Sequence, residues 1–211
     1  MTSTGLAILG LITETGELHF IRVDGVQYVG TAVTSQTALT ADFTGVAPFG
    51  RAFGDGSTTG TGTLAGTVEE RSSIFADTSF TTARGSASDS TISLAYNELY
   101  ERDSSLASIA GNYLVPDTNA VLNVNGSGEV FSQDPGTDCV INGVISIIDT
   151  AFNAYRVQYE FSSCQGRSAA LNGTVADGLA TLDDTESPEV LIIGVVNSEA
   201  GYGFAGSFPR T

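Results

Sequence analysis

The chain contains no lysine and no tryptophan, a single histidine, two cysteines and one methionine, Met1. Each of these shortages excludes chemistry. Without lysine there is no side-chain amine for a Schiff base, nor for a cofactor held that way. The histidine, His19, sits beside Phe20 inside an apolar stretch. A Ser-His-Asp site needs its histidine on a rim beside a nucleophile, and no Gly-x-Ser-x-Gly turn is present. One histidine and two cysteines far apart in sequence are a poor zinc set. Basic residues are few: 8, all arginine, against 24 acidic residues, for a formal net charge of −16. Such a chain is repelled by a nucleic-acid backbone and by anionic lipid. No catalytic residue, cofactor or nucleic-acid partner is therefore expected. No membrane partner is expected of the chain itself. The acids are spread along the sequence, which fits solubility better than a dedicated cationic partner.

What the chain does have points to strands. Of 211 residues, 25 are glycine and 41% are hydrophobic. That is too apolar for disorder and long enough for one large β domain or two small ones. Gly5 to Ile12 is apolar, but it lacks a basic leading region and a cleavage site, and it is too short to cross a bilayer. The opening Met1-Thr2-Ser3-Thr4 reads equally well as a start placed after a removed export signal.

The first strands read as Leu6–Ile12 and Leu18–Val23. Asp24-Gly25 is a strong hairpin signal, with Val26, Tyr28 and Val29 returning after it. Leu39 to Val46 alternates, as a half-buried strand does. Gly50 to Gly66 is rich in Gly, Thr and Ser but lacks the Gly-Lys-Ser/Thr ending of a phosphate loop. It predicts a hairpin tip followed by a strand from Gly62 to Glu69. Further strands are expected at Ser79–Ala83 and Ser90–Tyr96, joined at Arg84-Gly85. Between Tyr96 and Ala110 the alternation stops. Leu106, Ile109 and Ala110 lie at helical spacing, with Asp103 or Ser104 as N-cap and Gly111 as stop. A turn is expected at Pro116-Asp117 and a hairpin at Asn125-Gly126-Ser127-Gly128. Later strands read as Asn112–Val115, Val121–Val124, Val130-Phe131, Cys139–Ile148, Tyr155–Phe161, Ala169–Val175, Gly178–Leu182, Val190–Val196 and Gly203–Phe208. Asn172-Gly173 and Asp177-Gly178 are read as punctuation between them.

Few side chains carry candidate chemistry. Paired carboxylates serve glycoside hydrolysis, but Glu69-Glu70 are adjacent and point to opposite faces of a strand. Asp183, Asp184, Glu186 and Glu189 surround Pro188 and are the candidates for a hard cation, although EF-hand spacing is absent. The ordinary reading is a solvated acidic loop. Tyr28, Phe49, Phe53, Tyr155, Tyr159, Phe161, Tyr202, Phe204 and Phe208 would either line a ligand cavity or fill a core. Cys139 and Cys164 fall at facing ends of two consecutive strands. They suggest a disulfide in an oxidising compartment, or two buried thiols in a reducing one.

The stretches "SLASIAGNY", "AVLNVNGSGEV", "DCVINGVISIIDTAFNAYRVQYEFSSC" and "LNGTVADGLATLDD" carry a pattern at Leu106, Ala107, Ala110, Gly111, Tyr113, Cys139, Asn153, Tyr155, Val157 and Cys164. In these residues the chain resembles a group of Gram-negative bacterial envelope lipoproteins of unknown function. "GELHFIRVDGVQYVGT" is similar to the front of the same group. The resemblance implies a two-part β structure and export to the periplasm or outer-membrane surface, with a membrane reached only through a lipid anchor outside this chain, if any. It implies no catalytic residue.

The fold expected is all-β, with two antiparallel barrel or sandwich subdomains at residues 1–95 and 112–211, joined by a short helical linker at 96–111. The function expected is non-enzymatic: an envelope protein binding a protein partner or a ligand. One alternative is a lipocalin-like carrier of a small apolar ligand, and another is a carbohydrate-binding or carbohydrate-active protein. A filled core with an exposed apolar patch favours partner binding. An internal cavity favours the carrier, and two convergent carboxylates in a cleft favour the hydrolase. Gly50–Gly62 and Asp183–Glu189 are the loops expected to carry function.

Overall fold

The computed structural model describes residues 5–116, 118 and 120–211. Met1–Thr4 and Asp117, half of the turn expected at Pro116-Asp117, lie outside the described residues. The protein is all-β. It has two antiparallel sheets, one a half-barrel and one a nearly closed barrel, joined by a short helical linker. The chain divides into two compact units, Met1–Glu98 with Ser198–Ala205, and Leu99–Asn197 with Gly206–Thr211. The Ser198–Ala205 segment of the first unit falls outside the expected 1–95 span.

The first unit is a seven-stranded meander in sequence order. Its strands are β1 (Ile8–Ile12), β2 (Glu17–Arg22), β3 (Gln27–Ser35), β4 (Ala38–Val46), β5 (Thr59–Glu69), β6 (Ser73–Thr82) and β7 (Ala87–Ala95). Alternation sets the inner face: Leu18, Phe20, Ala32, Leu39, Ala41, Phe43, Leu64, Ala76 and Ile92 form one buried cluster. Three aromatic rings meet there, with Tyr28 edge-on to Phe43 at 5.4 Å and Phe43 stacked with Phe80 at 6.3 Å. Glycine makes the room for them. A Cβ on Gly45 or Gly60 would lie about as close as 2.5 Å to the Phe80 ring. The hairpin turns use left-handed glycines as expected, Gly25 at φ 86° and Gly85 at φ 90°.

β5 begins at Thr59, earlier than expected from the glycine content. Gly60 and Gly62 belong to the strand because bulky rings from β6 and β4 take the space a side chain would fill. β6 is likewise longer than Ser79–Ala83: it starts at Ser73, with Ile74, Ala76 and Thr78 turned inward and Phe75 and Asp77 exposed, so its large ring lies on the outer face.

The linker is a 3-10 turn (Glu98–Glu101) followed by α1 (Leu106–Ile109). Its N-cap is Ser105, whose hydroxyl accepts from the Ser108 N–H at 3.0 Å, not Asp103 or Ser104. Ser104 is instead buried, donating its hydroxyl to the Asp149 carbonyl. Gly111 opens the next strand.

The second sheet has eight strands in sequence order. They are β8 (Gly111–Leu114), β9 (Val121–Val124), β10 (Glu129–Gln133), β11 (Val140–Ile147), β12 (Tyr155–Ser162), β13 (Val175–Asp183), β14 (Val190–Asn197) and β15 (Tyr202–Pro209). The residues of β15 up to Ala205 cluster with the first unit. Inside the second unit Tyr113, Ile145, Tyr155, Val157, Ala176, Leu191 and Val195 are all fully buried at 0% exposure. An isolated bridge between Tyr113 and Arg210 brings the two ends of this sheet together. Arg210 donates to the carbonyls of Ala110 and Ser108 at 2.5 Å each, and lies over the Tyr113 ring. Its Nε is 2.8 Å from Glu189. Cys139 and Cys164 are joined by a disulfide across 25 residues.

Two expectations fail in this unit. Ala169–Val175 is not a strand: Gly166–Leu171 forms a 3-10 turn, and β13 starts only at Val175. The side chain of Asn172 explains it, bonding both the N–H and the carbonyl of Cys164 and closing the chain into a loop. Asp177-Gly178 is not a turn but lies inside β13, with Gly178 facing Val195 and Val157. The backbone of Gly194 leaves no space there for a side chain, so the glycine answers to packing. Arginine keeps to the edges of elements. Only Arg156 lies within a strand's interior; Arg22 ends β2, and Arg51, Arg71, Arg84, Arg102, Arg167 and Arg210 lie outside the strands.

Candidate functional site

The first candidate surface is on the outside of the second unit. In β8 to β11 the inward positions are filled by Tyr113, Leu122, Val124, Val130 and Ile145. The outward positions should be polar, yet four are large and apolar: Leu114 at 42% exposure, Val121 at 42%, Phe131 at 49% and Val144 at 44%. Register makes them one stripe. Leu114 is directly opposite Val121. Ser132 pairs with Leu122, which puts Phe131 diagonal to Val121. Phe131 pairs with Asn142 and Val144 with Glu129, so Phe131 and Val144 are diagonal as well. Diagonal neighbours on one sheet face are roughly 7–8 Å apart, within reach of an aromatic side chain. Exposed Asn112, Asn123, Asn142, Glu129 and Gln158 flank the stripe, giving an apolar strip with a polar rim.

This stripe is not among the residues singled out in the sequence. The signal was present as a break in phase. In β9 Leu122 and Val124 alternate inward, and Val121 is apolar at the wrong parity. In β10 Phe131 follows Val130 in the same way.

The acidic loop expected to be a cation site is taken apart by its partners. Asp183 accepts from the N–H and hydroxyl of Thr185. Asp184 is paired with Arg102, and Glu189 with Arg210. Glu186 is exposed. Among the described residues no group of three or more His, Cys, Asp or Glu is arranged to hold a metal ion. Glu69 closes β5 and accepts from the Ser72 hydroxyl, with Glu70 exposed in the turn that follows.

The loop from Gly50 to Ser57 is pinned rather than open. Asp55 accepts from the Ser57 N–H at 2.9 Å and from the Thr82 hydroxyl. The Thr82 bond, then the backbone bond from Ser57, hold the Asp55 carboxyl well below the usual carboxylate range. Arg84 donates to the Asp55 carbonyl at 2.8 Å, and Phe53 packs its ring on Phe80 at 5.3 Å. Phe49, Tyr202 and Phe204 form a second aromatic group in this unit. Tyr155, Tyr159 and Phe161 are core residues of the second unit.

His19 is buried, with its Nε2 2.6 Å from Gln27 Oε1. An amide oxygen only accepts, so Nε2 carries the proton. Burial lowers the His19 pKa, against the opposing pull of the Gln27 bond and the Glu17 charge. It is a neutral structural histidine. Tyr159 is buried with its hydroxyl unpartnered among the described residues, and burial pushes its pKa up. No helix among the described residues is long and apolar enough to cross a membrane. Against known proteins, no family model, no curated protein and no solved structure matches the chain.

Proposed function

We propose that this is a non-enzymatic β protein of the bacterial cell envelope, periplasmic or surface-exposed, that binds a protein partner through the outer face of its second unit. The observation that carries the reading is the stripe Leu114–Val121–Phe131–Val144. An apolar strip with a polar rim, over an inner face already filled by its own side chains, is the form of a partner-binding surface. The Cys139–Cys164 disulfide supports an oxidising compartment, where such bonds persist. The resemblance to envelope lipoproteins supports the same location.

The test uses the protein with whatever leader its gene encodes, produced in its own host. A photo-crosslinking amino acid is placed at Phe131, and at Asp177 as control. The expected result is a discrete adduct from Phe131 alone, in the envelope fraction, with both cysteines oxidised. Equal labelling at both positions, or a cytoplasmic protein with free thiols, overturns the reading.

A further inference from the structure

The apolar stripe of the second unit lies among carboxylates. The strands that carry it, β8 to β11, hold a single charged residue, Glu129. Glu129 is directly opposite Val144, and it shares the outer face of β10 with Phe131. On the other flank, Gln158 of β12 is opposite Val144 and Glu160 is opposite Asn142. Glu160 is therefore diagonal to Val144, roughly 7–8 Å away. Both glutamates are exposed. Val144 thus has a carboxylate on either side, on strands two spacings apart, about 10 Å. Asp177 stands a strand further out, where it accepts from Gln158, and adds to the same field. The one cation on β8 to β13 is Arg156, at the next outward position of β12 beyond Gln158 and opposite Ser146.

These charges select what the stripe can receive. A second copy of this chain would bring the same carboxylates and another net charge of −16 against them. An anionic lipid surface is repelled in the same way. A neutral apolar segment would cover the stripe but leave Glu129 and Glu160 partly desolvated with no counter-charge. We infer that the occupant is a basic amphipathic segment of a partner protein. It sets an apolar side chain on Phe131 and Val144, and arginine or lysine beside Glu129 and Glu160. The inference rests on the reading that this face binds a protein, and it names the chemistry of that protein.

The two parts of the face do different work. Phe131, at 49% exposure, is the largest side chain of the stripe. Covering it with its neighbours removes apolar surface from water, which holds the partner once it has docked. Carboxylates at a rim act mainly on the rate of encounter and on its salt dependence. Salt screens such exposed charges but leaves apolar burial in place, so association is expected to weaken in salt without being abolished. Glu129 is also set in advance. Its carboxylate accepts from Asn125 Nδ2 at 2.6 Å, which orders the side chain before a partner arrives and lowers the cost of ordering it on binding.

The experiment uses the purified full chain and two synthetic probes read by fluorescence anisotropy at low and at physiological salt. One is a short peptide alternating leucine with lysine, the other its analogue alternating leucine with glutamate. The lysine peptide is expected to bind, more weakly in salt, and the glutamate peptide not to bind. Glu129→Gln together with Glu160→Gln is expected to raise Kd about fivefold or more and to flatten the salt dependence. Glutamine keeps an oxygen that accepts, so the Asn125 bond survives the change. Asp42→Asn together with Asp89→Asn removes the same charge from exposed positions of the first unit, and is expected to leave Kd within about twofold. Phe131→Ser is expected to raise Kd about tenfold or more, as loss of a large apolar anchor does. Equal binding of the two peptides, no binding of the lysine peptide, or equal weakening by the two charge pairs overturns the inference. Weakening by Phe131→Ser but not by the glutamate pair overturns it too, while the partner-binding reading stands. If Phe131→Ser changes nothing, the basic segment lies elsewhere and the inference falls, and the photo-crosslink at Phe131 decides the reading separately.

Discussion

The two units solve the same problem in different ways. Each is a meander of antiparallel strands that must bury one face and dispose of two edges. The second unit brings its ends together at Tyr113 and Arg210, and reinforces the closure with a cation over an aromatic ring and two carbonyl bonds. The first unit leaves β1 and β7 unpaired with each other and fills its concave face with rings laid onto glycine. Both outer faces expose large apolar side chains, but Val33 and Phe75 of the first unit stand apart on β3 and β6. One row across the first unit reads Thr31, Asp42, Thr63, Ser79 and Asp89, all exposed and polar. The second unit carries the apolar stripe. The comparison separates two jobs that sequence composition merges: stability by closure, and stability by aromatic filling of an open sheet.

The largest effect should come from the open unit, which has no crosslink. Phe43→Ala removes a ring that contacts Tyr28 and Phe80 in the buried cluster, and is expected to cost about 3–5 kcal/mol of unfolding free energy in urea. A loss under 1 kcal/mol would mean that the aromatic cluster does not hold the half-barrel. Next is the closed unit's crosslink. Replacing Cys139 and Cys164 with serine together opens a loop of 25 residues. The chain-entropy argument puts the loss at about 3–4 kcal/mol. Thermal melts with and without reductant provide the check, since the double variant should lose its response to reductant.

A smaller effect of opposite sign is expected at Tyr159. Its buried hydroxyl has no hydrogen-bond partner among the described residues. Leaving such a group unsatisfied costs roughly 1–3 kcal/mol, so Tyr159→Phe should be neutral or stabilising by about 1 kcal/mol. A clear destabilisation would reveal a partner for the hydroxyl, such as a buried water.

The last effect depends on pH. His19 has a lowered pKa in the folded chain, so below about pH 6.5 the unfolded chain takes up the proton first. The stability His19 contributes is full above that pH. It falls as pH drops toward the lowered native value. His19→Gln should flatten this part of the stability–pH curve, measured by denaturant unfolding between pH 7 and 5. An unchanged slope would assign the acid sensitivity to other groups.

Much of this fold is legible in the chain because alternation and turn residues agree. Leu39–Val46 and Tyr155–Phe161 are strands by period, and Asp24-Gly25 and Arg84-Gly85 are turns whose glycines take positive φ. The failures share one cause. Asp177-Gly178 and Gly60–Gly62 have the local composition of turns, but their glycines serve distant rings and backbone. Ala169–Leu171 reads as apolar strand, but Asn172 folds it back on Cys164. The acidic loop was legible as a cluster; its arginine partners, Arg102 and Arg210, come from elsewhere in sequence and were not. The outward stripe was missed for a related reason: a strand's excess apolar residue looks like core until register shows its face.

The placement of arginine has a further consequence. With no lysine, a trypsin-like protease can cut only after arginine, and the arginines lie almost wholly at turns and element ends. Arg22 and Arg210 are held by ion pairs, and Arg84 donates to Asp55. Arg51, in the loop after β4, and Arg167, in the 3-10 turn after Cys164, are exposed and stand outside every strand. Exposed Arg51, Arg71 and Arg167 are thus the bonds such an enzyme should meet first, since exposed turns are where nicking concentrates, and a cut after Arg167 falls beyond the loop closed by the disulfide, so that bond does not span it. This distribution of one residue type directs limited digestion to the turns, so the fragments it releases should be bounded by whole strands.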